Sequence, residues 1–225
     1  MQKLTDQYPA IRFVAPFALF IVLLGVRSHF GWDLKWEYPF QALAVAVVVL
    51  LVSLPVIPFR LVRPWSSVAI GAGVFLIWIG PDLLWPLYRH HRIFENSLMG
   101  AAASSLPPGL RSDRMFLAFR FWGTAILVPI IEELFWRGWL MRYLINPDFE
   151  KVPAGTYSAM AVWTSAGLFA TEHGPYWDVG LLAGLIYNLW MVRTRNLMDC
   201  MLAHAVTNAC LAIYVAGFGH WEYWL

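Results

Sequence analysis

From residue 10 to residue 218 the chain keeps returning to apolar runs about as long as a membrane is thick. A helix needs roughly 20 mainly apolar residues to cross the hydrocarbon core. Hydrophobic types make up 60% of the residues and charged types 13%, with a mean hydropathy of +0.58. A soluble domain carries about 25% charged residues. These runs leave no room for a second sizeable soluble domain. The expected fold is an all-α polytopic membrane helical bundle of about seven spans, with six to eight allowed. A net charge of +2 gives no footing for nucleic-acid binding. Many of the 13 tryptophans sit beside charges or loops, where interfacial anchors belong: Trp32, Trp36, Trp65, Trp85, Trp221 and Trp224.

The spans are read in order. The first covers 10–27, with Pro16 a point of bending. It is followed by a polar-aromatic loop, 28–37. The second, 38–57, is stopped by Pro55 and Pro58. The third, 65–88, contains Gly80-Pro81-Asp82, which is expected to break or kink it, with Asp82 capping the second half. Residues 89–112 form the best internal boundary, a loop with a short interfacial helix over 94–104 and a solvated His90-His91 pair. The fourth span starts at the N-cap residues Ser112-Asp113 and runs to Leu144. At about 48 Å it exceeds the membrane core and must tilt, protrude or kink. Pro129 offers the kink and leaves the carbonyl of Ala125 without its helical partner. The fifth span, 157–173, stops at Gly174-Pro175. The sixth, 177–192, has a Gly180-x-x-x-Gly184 spacing suited to close packing. Asn196 with Asp199 reads as a capping pair for the seventh, 197–216. Loop charge weakly prefers an N-terminus inside the cell.

Three of these segments carry polar residues that are not interface anchors. The fourth has Glu132, Glu133 and Arg137; the fifth has Thr171, Glu172 and His173; the seventh has His204, Thr207 and Asn208. An acid at the centre of a membrane helix costs roughly 2.5–3.5 kcal/mol on insertion scales, so such residues face one another or a wet cavity. Glu133 and Arg137 are four apart and pair on one face. Glu132, about 100° round the helix, is left for chemistry. His204 and Asn208 share a face, as do Phe169 and His173. One reading has Glu132 and His173 activating a water, with His204 and Asn208 holding the oxyanion. The other makes Glu132, His173 and His204 a zinc site, although no His-Glu-x-x-His is present. Cys200 and Cys210 lie about 15 Å apart along one helix and cannot bridge within it. They read as small buried residues; a Cys200–His204 nucleophile is a weaker alternative.

The ordered motifs Glu-Glu-x-x-x-Arg (132–137), Phe-x-x-x-His (169–173) and His-x-x-x-Asn (204–208), with Arg193-Thr194-Arg195-Asn196-Leu197 before the last, carry a family resemblance. The chain resembles the CAAX protease and bacteriocin-processing family of intramembrane proteases over roughly 112–216. With its Trp-Glu-Tyr-Trp end, it also resembles the CAAX-protease-related membrane proteins of bacteria with exosortase systems. The resemblance implies transmembrane helices and a loop over 1–111, a catalytic core over 112–216 and an aromatic tail over 217–225. It implies an intramembrane endopeptidase with catalytic Glu132, His173, His204 and Asn208, supported by Glu133 and Arg137. No cofactor is expected on this reading; zinc is the alternative. The implied partners are membrane lipid and a membrane-anchored protein or peptide substrate, and the implied location is the bacterial inner membrane. The competing function is a non-catalytic immunity or assembly factor of the same fold.

Overall fold

The structure is a computed structural model that describes residues 2–30, 33–104 and 106–224. All described secondary structure is helical apart from an isolated bridge between Asn96 and Gly100. A short helix α1 (Gln2–Gln7) leads into α2 (Ile11–Phe30), which keeps Pro16 inside it. Next come α3 (Leu34–Val48) and α4 (Pro64–Leu84). Helix α5 runs through Arg114–Tyr143. Then follow α6 (Ala159–Thr171), α7 (Trp177–Thr194) and α8 (Leu197–Phe218). Among the described residues, four helical stretches are long and apolar enough to cross a membrane: Leu34–Val56, Pro64–Leu84, Arg114–Tyr143 and Leu197–Phe218. Leu50, Leu76, Leu84, Ile213 and Phe218 are each more than half exposed on the outside of the bundle. Apolar residues facing outward along spanning helices are what lipid contact requires, and the chain is an integral membrane protein.

The caps follow the sequence. Asp113 Oδ1 accepts from the backbone N–H groups of Met115 and Phe116, opening α5. Its other oxygen lies 2.7 Å from Lys35 Nζ, and that ammonium holds the Asp113 carboxyl below its usual range. Asn196 Oδ1 accepts from Asp199 N and opens α8. The buried Asp199 carboxylate then takes the N–H groups of Val62 and Arg63, pinning the entry to α4.

Small residues set how closely the helices approach. A Cβ on Gly71 of α4 would overlap the Ala203 carbonyl of α8. On α7, Gly184 packs against Ala166 and Phe169, and Gly180 against the His173 ring. The Gly180-x-x-x-Gly184 spacing therefore seats α7 on α6.

Several expectations are corrected. Helix α3 starts at Leu34 rather than 38, because Asp33 caps it through Lys35 N. Helix α4 does not break at Pro81. The proline sits in the last turn, and the helix runs on to Leu84. Asp82 caps nothing; it accepts from Arg89 Nε and from the Tyr223 hydroxyl. No helix forms over 94–104. Asn96 Oδ1 takes the N–H groups of Leu98 and Met99, and Gly100 adopts a φ of 83°, so a turn wins over a helix. His90 bonds Glu95 at the surface. Trp36, Trp65 and Trp85 are exposed, as anchors would be, but Trp224 is buried with Tyr38 and Phe116. Trp32 and the Arg27 side chain lie outside the described residues.

Gly71→Ala should destabilise the fold by about 1–3 kcal/mol, because the new methyl meets backbone rather than a movable side chain. Gly73→Ala, with nothing within 4 Å of its Cβ position, serves as the control. Thermal unfolding in detergent compares the two; equal melting temperatures would contradict the close α4–α8 contact.

Candidate active site

The site begins with an irregularity in α5. An α-helical stretch, Val128–Glu133, holds both acids between two wider turns, Gly123–Leu127 and Leu134–Leu140. In the first wide turn the Val128 N–H reaches back five residues to Gly123 O. In the second, the Met141 N–H reaches Trp136 O. Such π-type turns cluster at functional sites. Pro129 explains the first, since it has no N–H to give. In the five-residue register the carbonyl it deprives is Thr124 O, one residue before the Ala125 expected from regular helix geometry. Thr124 O is instead satisfied by Asn208 Nδ2 of α8 at 2.9 Å. The proline defect thereby orients the Asn208 amide and leaves its second N–H for other work.

Arg137 is fully buried and spends its donors on two helices. Nη1 donates to Glu133 Oε1 at 3.1 Å, Nε to Asn188 Oδ1 at 2.9 Å, and Nη2 to Gly184 O at 3.1 Å. Phe169 and Tyr187 lie against the guanidinium, with ring centroids at 4.9 and 5.4 Å. Asn188 passes the connection to α6 through Val162 O and Ser165 Oγ, both at 2.8 Å. The expected Glu133–Arg137 pair is present, but Glu133 does more than hold α5 in register. Its Oε1 also lies 2.9 Å from His204 Nδ1 on α8.

These contacts fix the imidazole protons. Glu133 Oε1, already bonded to Arg137, can only accept, so His204 Nδ1 carries a proton and donates. His204 Nε2 then points towards Glu132, whose Oε2 is 3.9 Å away. His173 Nδ1 lies 2.8 Å from Phe169 O, which also only accepts, so His173 Nε2 is likewise left outside that bond. Trp78 packs edge-on against the His173 ring, and Tyr187 stacks on His204. The Tyr187 hydroxyl donates to Thr207 Oγ1 at 2.7 Å, and Thr207 in turn reaches Gly71 O at 2.8 Å.

Glu132, His173, His204 and Asn208 line one cavity of about 180 Å³. His204, Thr207, Asn208 and Leu211 reach it from one face of α8, as spacings of three and four demand. Glu132 Oε2 is buried with no hydrogen-bond partner in the protein. Glu133 Oε2 also lacks one, but Glu133 does not line the cavity. Thr171 and Glu172 lie outside it. So do both cysteines; Cys200 Sγ faces Tyr187 O and Met191 Sδ instead, which removes the footing for a thiol nucleophile. Among the described residues, no group of three or more His, Cys, Asp or Glu is arranged to hold a metal ion. Glu132, His173 and His204 therefore share the cavity without forming a ligand set as placed.

Residues 114–210 match the family model for type II CAAX prenyl endopeptidase, Rce1-like. Over that segment the chain is similar to the family. No curated protein and no solved structure matches the chain. The matched segment spans α5 to most of α8 and contains Glu132, Glu133, Arg137, His173, His204 and Asn208. The cavity draws walls from beyond it: Trp78 of α4, and Tyr223 and Trp224 after α8. Sequence reasoning did not reach Thr124, Tyr187 or Asn188. Asn188 left one signal, a lone amide in an apolar run four residues after Gly184.

Arg137→Met should cost about 3–5 kcal/mol, because it takes the guanidinium from a fully buried Glu133 and leaves it only the His204 Nδ1 hydrogen bond. Adding Glu133→Gln should recover part of that loss. Unfolding of the two variants in mixed micelles measures the difference; an Arg137→Met protein as stable as the parent would contradict the network.

Proposed function

We propose that the protein is an intramembrane endopeptidase that cleaves a membrane-anchored protein or peptide with a water activated by Glu132 and His173. The observation that carries this reading is the buried, unpartnered Glu132 Oε2 in a cavity shared with two imidazoles. A buried carboxylate oxygen requires a donor, and a water held there gains a base beside it. The water oxygen attacks the scissile carbonyl carbon as its proton passes to Glu132, with His173 Nε2 accepting the second water hydrogen as a hydrogen bond. The carbonyl oxygen becomes an oxyanion, which accepts from the free Asn208 N–H. His204, oriented by its Nδ1 bond to Glu133, is the second group assigned to the oxyanion, through Nε2. Collapse of the tetrahedral intermediate breaks the C–N bond, and Glu132 returns its proton to the leaving amine.

The similarity of residues 114–210 to the Rce1-like family model supports peptide-bond hydrolysis as the reaction class. A prenyl group on the substrate is not part of the proposal. The proposed location is the bacterial inner membrane.

Glu132→Gln and His173→Ala should each abolish cleavage while membrane insertion and melting temperature are retained. Normal processing by a folded Glu132→Gln protein would sink this reading and favour a non-catalytic assembly or immunity role. Asn208→Ala should lower kcat by about 10²- to 10³-fold with a smaller change in KM. A zinc mechanism through Glu132, His173 and His204 makes the opposite prediction for chelation. Activity should survive dialysis against a strong zinc chelator, and loss restored by added zinc would replace the water-activation scheme.

A further inference from the structure

A second cavity of about 350 Å³ adjoins the first, with Tyr223 in the wall of both. Its lining includes Asp82, Arg89, Tyr176, Tyr214 and Glu222. No step of the proposed hydrolysis uses these groups. Arg89 is buried, its side chain 6% exposed. Nε donates to Asp82, while Nη1 donates to Pro175 O and to Asp178. Nη2 is buried and has no partner in the protein. That nitrogen is a donor in search of an acceptor, and burying it unpaired carries a cost.

The acceptor has to suit the local charge. Asp82 and Glu222 line the cavity, Asp178 bonds Arg89, and Glu95 bonds the lining residue His90. Four carboxylates stand against one guanidinium. A free anion is therefore repelled, whereas a neutral carbonyl can satisfy Nη2 without adding negative charge. The surplus of carboxylates suits a cation. A peptide offers both groups together: a backbone carbonyl and, from a basic residue, a positive side chain. Glu222 is the carboxylate best placed to receive that charge. It bonds His220 through one oxygen only, and its side chain is 41% exposed, whereas both oxygens of Asp82 are engaged.

We propose that this second cavity is a substrate subsite that holds an Arg or Lys residue flanking the scissile bond. The peptide carbonyl sits on Arg89 Nη2, and the basic side chain lies against Glu222. Tyr223 separates this subsite from the reaction cavity, so one extended peptide passes it to occupy both. The proposal rests on the endopeptidase reading for its meaning, but its test requires no cleavage.

The test uses the Glu132→Gln protein in detergent and three probes, acetyl-Ala-Ala-X-Ala-Ala-amide with X as Arg, norleucine or Glu, with binding measured by calorimetry. The Arg peptide should bind at least tenfold more tightly than the norleucine peptide, and the Glu peptide more weakly still. Glu222→Gln should erase most of the Arg preference. Ala102→Trp, which fills the cavity from a loop position, should abolish binding while the melting temperature holds. Equal binding of the three peptides, no binding of any at millimolar concentration, or binding unchanged in Ala102→Trp would each overturn the subsite. If the parent protein cleaves nothing but the Arg preference stands, the hydrolytic reading fails and the subsite survives.

Discussion

Glu133 Oε1 accepts two hydrogen bonds, from Arg137 and from His204, with Glu133 and Arg137 fully buried. Removing these charges from water costs several kcal/mol per ion, and only dense hydrogen bonding offsets it. Arg137 meets that demand by reaching Asn188 and the Gly184 carbonyl as well. One ion pair within α5 is thereby tied to α7 and α8, and through Asn188 to α6. Its chemical consequence lies at His204. With Nδ1 committed to Glu133, Nε2 is the nitrogen directed at Glu132.

Two local devices make room for this network. Pro129 removes a backbone donor and widens the preceding turn, and Asn208 repairs the loss by bonding Thr124 O. A defect in one helix thus positions a side chain of another. Glycines supply the second device. Gly71 lets α4 and α8 approach to backbone contact, and Gly180 admits the His173 ring against α7. A Cβ at Gly71 would force α4 and α8 apart, and one at Gly180 would press on the His173 ring, which lines the cavity.

Much of the bundle was legible from hydropathy and punctuation. The apolar runs gave the helices, and Asp113 and Asn196 opened α5 and α8 as their residue types imply. Spacing of four paired Glu133 with Arg137 and placed His204 and Asn208 on one face. Local rules failed where a distant partner outbid the near one. Asp82 follows a helix-breaking dipeptide and looks like a cap, yet Arg89 and Tyr223 claim its oxygens. Trp224 looks like an interface anchor, yet it packs on Tyr38 and Phe116. The turn at Asn96 lost its expected helix to a short-range contact, Oδ1 with the next N–H groups, that hydropathy does not register.

By itself, the sequence determined an all-helical membrane chain, the residue types able to move protons within it, and the i,i+4 pairing on α5. Those depend on composition and helical period, which act over a few residues. Tertiary structure alone decided that Glu133 serves His204 as well as Arg137, and that Asn208 answers the carbonyl left by Pro129. It also brought Trp78 and Tyr223, from outside the Rce1-like segment, into the walls of the cavity. Those outcomes depend on which helix faces meet and how closely, and the close approaches at Gly71, Gly180 and Gly184 exist only once the helices are packed.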